Sequence, residues 1–180
     1  MTHALVTGGG SGIGRAIALA LADAGHAVTI CGRRAEALRA VVHPHVHGIV
    51  ADVTDPASVA ALYDEAQAAR GPFDIVVANA GASVSAPAAR VTLDDWRAML
   101  DVNLTGAFLT VQPALTAMTR AGSGRIVFVA STAGLKGYPY VAPYVAAKHG
   151  VVGLMRALAA ETMTSGVTVN AVCPGFAETE

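Results

Sequence analysis

Residues 4–14 read Ala4-Leu5-Val6-Thr7-Gly8-Gly9-Gly10-Ser11-Gly12-Ile13-Gly14, and Arg15-Ala16-Ile17-Ala18-Leu19-Ala20-Leu21-Ala22 follows at once. The first four residues have strand character, the glycines form a turn, and the Ala/Leu/Ile run reads as a buried helix. The spacing is Thr7-Gly8-x-x-x-Gly12-x-Gly14 rather than the commoner G-x-G-x-x-G. A tight turn, a close approach of backbone to a ligand and close helix–strand packing each exclude a Cβ, so each selects glycine. The first turn of the helix then offers unpaired N–H groups and a positive dipole end to phosphate. Between a strand and a helix, such a turn implies a dinucleotide site.

Outward from this unit the chain keeps alternating strand and helix. Strands are expected at Ala27-Val28-Thr29-Ile30-Cys31, from His47 to Asp55 by way of Asp52-Val53, at Asp74-Ile75-Val76-Val77-Ala78, from Gly124 to Ala130, and from Gly166 to Val172. Helices are expected over residues 35–42, then after Asp55 as N-cap with Pro56 in the first turn, and after a near capping box at Thr92-Leu93-Asp94-Asp95. A long apolar helix over 104–118, bent or restarted at Pro113, and another over 143–161 complete the pattern. Helical crossovers between strands predict an α/β, three-layer doubly wound parallel sheet in the order 3-2-1-4-5-6, with the glycine turn at the topological switch point. No repeat or linker divides the 180 residues, so one domain over 1–180 is expected.

Composition narrows the function class. The net charge is −1 and Arg33-Arg34 is the one adjacent basic pair, which argues against nucleic acid as a partner. No apolar run reaches the roughly 18 residues of a membrane span. The N-terminus enters the glycine turn directly, without the pattern of a secretory signal, so a cytoplasmic location is expected. Cys31 and Cys173 then read as buried free thiols. A hydrophobic fraction of 53% suits strands buried on both faces and leaves apolar surface for a second copy of the chain.

The second half carries the chemistry. Tyr144 and Lys148, four apart, lie on one face of a helix. A nearby ammonium favours the phenolate, and a tyrosine so tuned can pass a proton to or from a carbonyl or alcohol oxygen. Ser131 follows the fifth strand, Asn79-Ala80-Gly81 the fourth and Pro174-Gly175 the sixth, so strand ends deliver small or polar residues to one edge of the sheet. Asn103 lies within a helix, where an inward polar side chain needs a reason. His43, His45 and His47 alternate around Pro44, but no acidic or Cys ligand is spaced to complete a metal site. Leu135, Tyr138 and Tyr140 are candidates for substrate contact. His149 points off the catalytic face.

Taken together, Thr7-Gly8-x-x-x-Gly12-Ile13-Gly14, Asp52-Val53, Asn79-Ala80-Gly81, Asn103, Ser131, Tyr144-x-x-x-Lys148 and Pro174-Gly175 resemble the short-chain dehydrogenase/reductase family, in its classical subgroup and close to 3-oxoacyl reductases. The resemblance covers the whole chain. It implies Tyr144 as general acid/base, Lys148 as the group that tunes it and holds the nicotinamide ribose, Ser131 as the residue orienting the substrate oxygen, and Asn103 as support for a relay water. It further implies Asp52 and Val53 at the adenine, Asn79 to Gly81 on the adenosine ribose side, Pro174-Gly175 at the nicotinamide and Thr179 at its carboxamide.

A carboxylate ending the second strand would select NAD through the ribose 2′-OH. Here Cys31-Gly32 stands in that place and Arg33 follows, a guanidinium suited to a 2′-phosphate, with Ser11 within reach of the same phosphate. NADP(H) is therefore expected, with NAD(H) as the alternative. The expected reaction interconverts a ketone and a secondary alcohol, on a 3-oxoacyl thioester or polyketide-like substrate. The other readings are an NAD-dependent alcohol or hydroxyacyl dehydrogenase and a nucleotide-binding protein without turnover. Homodimers or homotetramers are expected. Members of the family continue past the sixth strand into a mobile lid, a helix and a seventh strand, whereas this sequence stops at Glu180. A six-stranded sheet lacking the seventh strand is expected, whether the sequence is a shortened form or a naturally short product.

Overall fold

A computed structural model of the chain describes residues 1–177. Its strands are β1 (His3–Thr7), β2 (Ala27–Gly32), β3 (Val46–Val50), β4 (Ile75–Ala78), β5 (Gly124–Val129) and β6 (Val167–Val172). They form one parallel sheet in the order β3-β2-β1-β4-β5-β6, as the sequence predicts. The helices are α1 (Gly12–Asp23), α2 (Ala35–Arg39), α3 (Pro56–Arg70), α4 (Leu93–Leu100), α5 (Gly106–Ala121) and α6 (Ala142–Glu161).

Alternation along the central strands sorts the core into two layers. Leu5, Val76, Ile126 and Phe128 point to one face and meet Leu62 and Tyr63 of α3, Val111 and Met118 of α5, and Val151 of α6. Ala4, Val6, Ile30 and Val77 point to the other face and meet Ala18 and Ala22 of α1 and Leu38 of α2. Both sides of β1 are buried, which is why its residues read as a continuous apolar run. Among the described residues β6 is an edge strand, and Val172 at its end is 47% exposed.

Local chemistry sets the helix boundaries. Asp55 Oδ1 caps α3 by accepting from Ala57 N at 3.0 Å, and Thr92 and Asp95 form the expected capping box on α4. Three expectations need correction. The helix after β2 ends at Arg39 rather than Val42, because Val41 turns into the core while Val42 stays 87% exposed. The third strand ends at Val50, so Asp52 and Val53 stand in the loop beyond it, where the Asp52 backbone N donates to Ser58 Oγ. Finally, α5 passes through Pro113 without a restart. Pro113 lies on an exposed face, where the carbonyl it deprives of a donor can turn to water. The irregularity lies upstream instead, at a single π-helical turn over Asp101–Thr105 that joins α4 to α5.

Candidate active site

All parallel strands present their carboxyl ends to one edge of the sheet, and the loops there enclose contiguous clefts. The first, about 360 Å³, is lined by Gly8, Ser11, Ile13, Gly14, Arg33, Asp52, Val53, Asn79, Ala80 and Gly81. Its floor is backbone. Gly8 and Gly12 adopt φ of +66° and +51°, a conformation that favours glycine. A Cβ at Gly14 would overlap Gly8 O and Asn79 Nδ2, and one at Gly10 would press on Ala37 at 3.1 Å. Ser11 precedes α1 in extended conformation and makes no side-chain cap, so the first turn of that helix faces the cleft. Such a cradle, with helical N–H groups at one end and two exposed arginines at the other, fits a dinucleotide phosphate.

Side chains hold this cleft in shape. Thr7 Oγ1 accepts from the backbone N of Asn79 and of Ala80, both at 3.0 Å, and Asn79 Nδ2 donates to the Thr7 carbonyl at 2.9 Å. The Asn79 amide thus clamps β1 to β4 beneath the glycine turn. Asp52 Oδ1 accepts from the N–H and hydroxyl of Thr54, at 2.9 and 2.8 Å. Those bonds, and more weakly Arg33, hold its carboxyl below the usual aspartate value.

The second cleft, about 260 Å³, shares Ile13, Asn79 and Gly81 with the first and is lined further by Asn103, Ser131, Tyr144, Lys148, Pro174 and Gly175. Tyr144 and Lys148 share a face of α6, with the ammonium 5.6 Å from the phenol ring centroid. Lys148 is 4% exposed and its Nζ donates to the Val129 carbonyl at 2.9 Å. Burial pushes its pKa down to about 8, with Cys173 opposing. Asn103 is 1% exposed in the π-helical turn. Its Nδ2 donates to the carbonyls of Ala82 at 2.8 Å and Met99 at 3.0 Å. Its Oδ1 is buried without a hydrogen-bond partner among the described residues. A Cβ on Gly81 would come within 2.6 Å of that oxygen and 3.6 Å of Lys148 Nζ, so only glycine keeps this passage open. Ser131 Oγ accepts from Ala133 N at 3.1 Å and opens onto this cleft and the next.

The third cavity, about 410 Å³, adjoins Ser131 and Tyr144 and is walled by Ser83, Thr132, Ala133, Tyr138, Pro139, Val141, Gly175 and Phe176. Of the loop candidates, Tyr138 reaches it, while Leu135 and Tyr140 are not among its walls and are 59% and 62% exposed. Leu38, Val102, Ser83 and Phe176 line clefts without having been singled out. The last two had a signal, since each lies just beyond a strand-end motif already picked out. Thr179 lies outside the described residues.

Elsewhere, His149 Nδ1 donates to the Val145 carbonyl at 2.9 Å on an exposed face. His43 pairs with Asp23 at 3.3 Å and His47 with Glu65 at 3.9 Å. Among the described residues no group of three or more His, Cys, Asp or Glu is placed to hold a metal ion, and no helix is long and apolar enough to cross a membrane. Cys31 and Cys173 are free; burial pushes the Cys31 thiol up to about 12, whereas Cys173 is only half-buried.

The profile of the short chain dehydrogenase family matches residues 2–180. The chain belongs to that family. It is therefore an oxidoreductase of the kind that acts on a CH–OH group and its carbonyl counterpart. Among curated relatives of this short chain dehydrogenase, the cis-4-hydroxycyclohexanecarboxylate dehydrogenase of Sinomonas cyclohexanicum is 44% identical, over 98% of this chain and 73% of its own length. The 3-oxoacyl-[acyl-carrier-protein] reductase MabA of Mycobacterium avium is 38% identical, over 98% of this chain and 67% of its own. Among solved structures, the F189W actinorhodin polyketide ketoreductase with NADPH superposes with a TM-score of 0.96 at 40% identity, covering 99% of this chain and 71% of that one.

Proposed function

We propose that this short chain dehydrogenase is an NADP(H)-dependent ketoreductase in which Tyr144 passes a proton to the carbonyl oxygen of a ketone. The observation that carries this reading is the convergence of Ser131, Tyr144 and Lys148 on one cleft, between the glycine turn on one side and an apolar cavity on the other. A ketone in that cavity would set its oxygen between the hydroxyls of Ser131 and Tyr144. Ser131 orients and polarises it, and Tyr144 donates the proton. Lys148 stabilises negative charge on the tyrosine oxygen as the proton leaves. Asn103, with its amide nitrogen committed to two carbonyls, keeps Oδ1 to support a water through which Lys148 exchanges protons with solvent.

The residues that would hold the dinucleotide follow the first two clefts. The turn from Gly8 to Gly14 takes the pyrophosphate, Asp52 and Val53 the adenine, and Asn79, Ala80 and Gly81 the adenosine ribose side. Arg33, with Ser11, takes the 2′-phosphate. Tyr144 and Lys148 take the nicotinamide ribose, and Ile13, Pro174 and Gly175 border the ring. When bound, the dinucleotide supplies the hydride that reduces the carbonyl carbon. The NADPH named with the actinorhodin enzyme supports the cofactor, and the reductase and dehydrogenase names of the other relatives support a carbonyl–alcohol couple.

Calorimetric titration with NADPH and NADH, followed by NADPH oxidation with a panel of ketones, tests the reading. NADPH should bind more tightly, at least one ketone should be reduced, and Tyr144→Phe should lower kcat by about a thousandfold or more while leaving NADPH affinity within about threefold. Retained turnover in Tyr144→Phe would remove Tyr144 from the chemistry. The same reading takes the molecule as a cytoplasmic homodimer or homotetramer, with the exposed Phe108 of α5 on an apolar contact face; light scattering that reports a single chain would refute the assembly.

A further inference from the structure

One wall of the cavity beyond Ser131 is a loop held by named contacts. Tyr138 is fixed at its hydroxyl by a 2.9 Å hydrogen bond with Thr132 Oγ1, and at its ring by the Lys136 ammonium, 5.1 Å from the centroid. Pro139 follows, with its backbone φ locked by the ring. Tyr140 then adopts φ of +66°, and its carbonyl accepts from Ala86 N at 2.7 Å, tying this loop to the one that leaves β4. Phe176, itself fully exposed, stands edge-on to Tyr138 at 6.2 Å and 82°. Val141 and Ala133 complete an apolar surface. The polar groups gather at one end, where Ser131 and Tyr144 would receive the carbonyl.

A flat aromatic wall held at both ends suits a rigid, compact apolar body lying broadside against it, since such a body loses little conformational freedom on binding. An unbranched acyl chain surrenders rotamer entropy at every ordered bond and gains little from one planar face. We infer that this cavity takes a ketone whose carbonyl carbon belongs to a six-membered ring, and that Tyr138 selects it over an open-chain 3-oxoacyl thioester. The inference rests on the ketoreductase reading, and narrows it to one substrate class.

The test compares NADPH-dependent reduction of cyclohexanone with that of acetoacetyl-coenzyme A by the whole chain and by Tyr138→Ala, Tyr138→Leu and Tyr138→Phe. The wild-type ratio of kcat/KM, ring over chain, should favour the ring by about tenfold or more. Tyr138→Ala and Tyr138→Leu should each cut that ratio by about tenfold, chiefly through the KM for the ring ketone, whereas Tyr138→Phe, which keeps the flat face, should retain most of it. Melting curves by circular dichroism establish that each variant is folded, and two truncating variants guard against the failure of one. A wild-type preference for the thioester, or a ratio indifferent to Tyr138→Ala and Tyr138→Leu, overturns the inference and leaves the ketoreductase standing. Reduction of neither compound by a chain that binds NADPH overturns both.

Discussion

The cleft at the glycine turn is walled largely by backbone, whereas the cleft at Tyr144 is walled by side chains sent in from separate elements. In the first, the informative residues are those that withhold atoms: Gly10 and Gly14 leave room that a Cβ would fill. In the second they supply atoms: a phenol, an ammonium, a hydroxyl and an amide, with Lys148 and Asn103 almost wholly buried. A backbone site tolerates no added bulk, and the arginines at its rim keep their contact with water. A side-chain site carries an electrostatic cost, visible in the pKa of Lys148, pushed down to about 8 by burial. Form and charge are thus divided between neighbouring parts of one sheet edge, and the two parts should respond differently to substitution.

The largest effect on cofactor binding should come from adding one methyl group to the backbone site. Gly14→Ala places a Cβ onto Gly8 O and Asn79 Nδ2, and should weaken NADPH binding by about a hundredfold or more, read by calorimetry, together with a lower Tm. Gly153→Ala makes the identical change in α6, where nothing lies within 4 Å of the new atom. It should stabilise the chain by about 0.5–1 kcal/mol through helix propensity. Equal outcomes for the two would erase the distinction between the clefts.

Removing charge from the side-chain site comes next. Lys148→Met should abolish turnover yet raise stability by about 1–3 kcal/mol at pH 7, because a buried ammonium is replaced by an apolar chain of similar length. The folded pKa of Lys148 lies below the ordinary lysine value, so its burial penalty is full below about pH 8 and fades as pH rises toward 10.5. The stability gap between variant and wild type should close over the same range. A gap that widens there would show that the ammonium stabilises the fold.

A milder effect is expected at the rim of the backbone cleft. Arg33 is exposed and Asp52 faces the same space. Arg33→Asp should shift the ratio of NADPH to NADH affinity toward NADH by about tenfold or more, with little change in Tm. An unchanged ratio would take Arg33 out of the phosphate site.

The smallest effect belongs at the opposite end of the strands, far from both clefts. His3 is 1% exposed; its Nδ1 donates to the Gly71 carbonyl and its Nε2 accepts from the Thr29 hydroxyl, each at 2.9 Å. Burial holds its pKa below the ordinary histidine value of 6.5. Its contribution is therefore complete above that pH and is lost as pH falls below it. His3→Gln should flatten the dependence of Tm on pH between about 5 and 7 and leave cofactor preference untouched.

The same division explains what the sequence could disclose. A missing Cβ is written in the residue identity, so the glycine turn and its place between β1 and α1 were legible from Gly8 to Gly14. Tyr144 and Lys148 were legible because helical period alone puts residues four apart on one face. Strand order followed from crossover handedness. The π-helical turn was not legible, since no residue type in Asp101–Thr105 demands it. The restart that Pro113 allowed is not seen, because the effect of a proline depends on which face of α5 meets water, and that is a property of packing. The clamp that Asn79 makes on Thr7 also lay hidden, because motif spacing places a residue at a strand end without saying which neighbour its amide serves.

The π-helical turn can also be read as a counting device. Relative to an unbroken α-helix it accommodates one additional residue, so the helical phase before it and the phase after it are offset. Asn103 sits inside that offset and bonds to Met99 on its own helix and to Ala82 across from it. Deleting a single codon between 101 and 105 would return the segment to a regular α-helix with α4 and α5 still facing their neighbours, but it would move Asn103 or its partner Met99 by one position, about a hundred degrees around the axis. A lineage that lost that residue would keep its fold and misplace its amide, so frame-preserving indels here should be selected against more strongly than most substitutions.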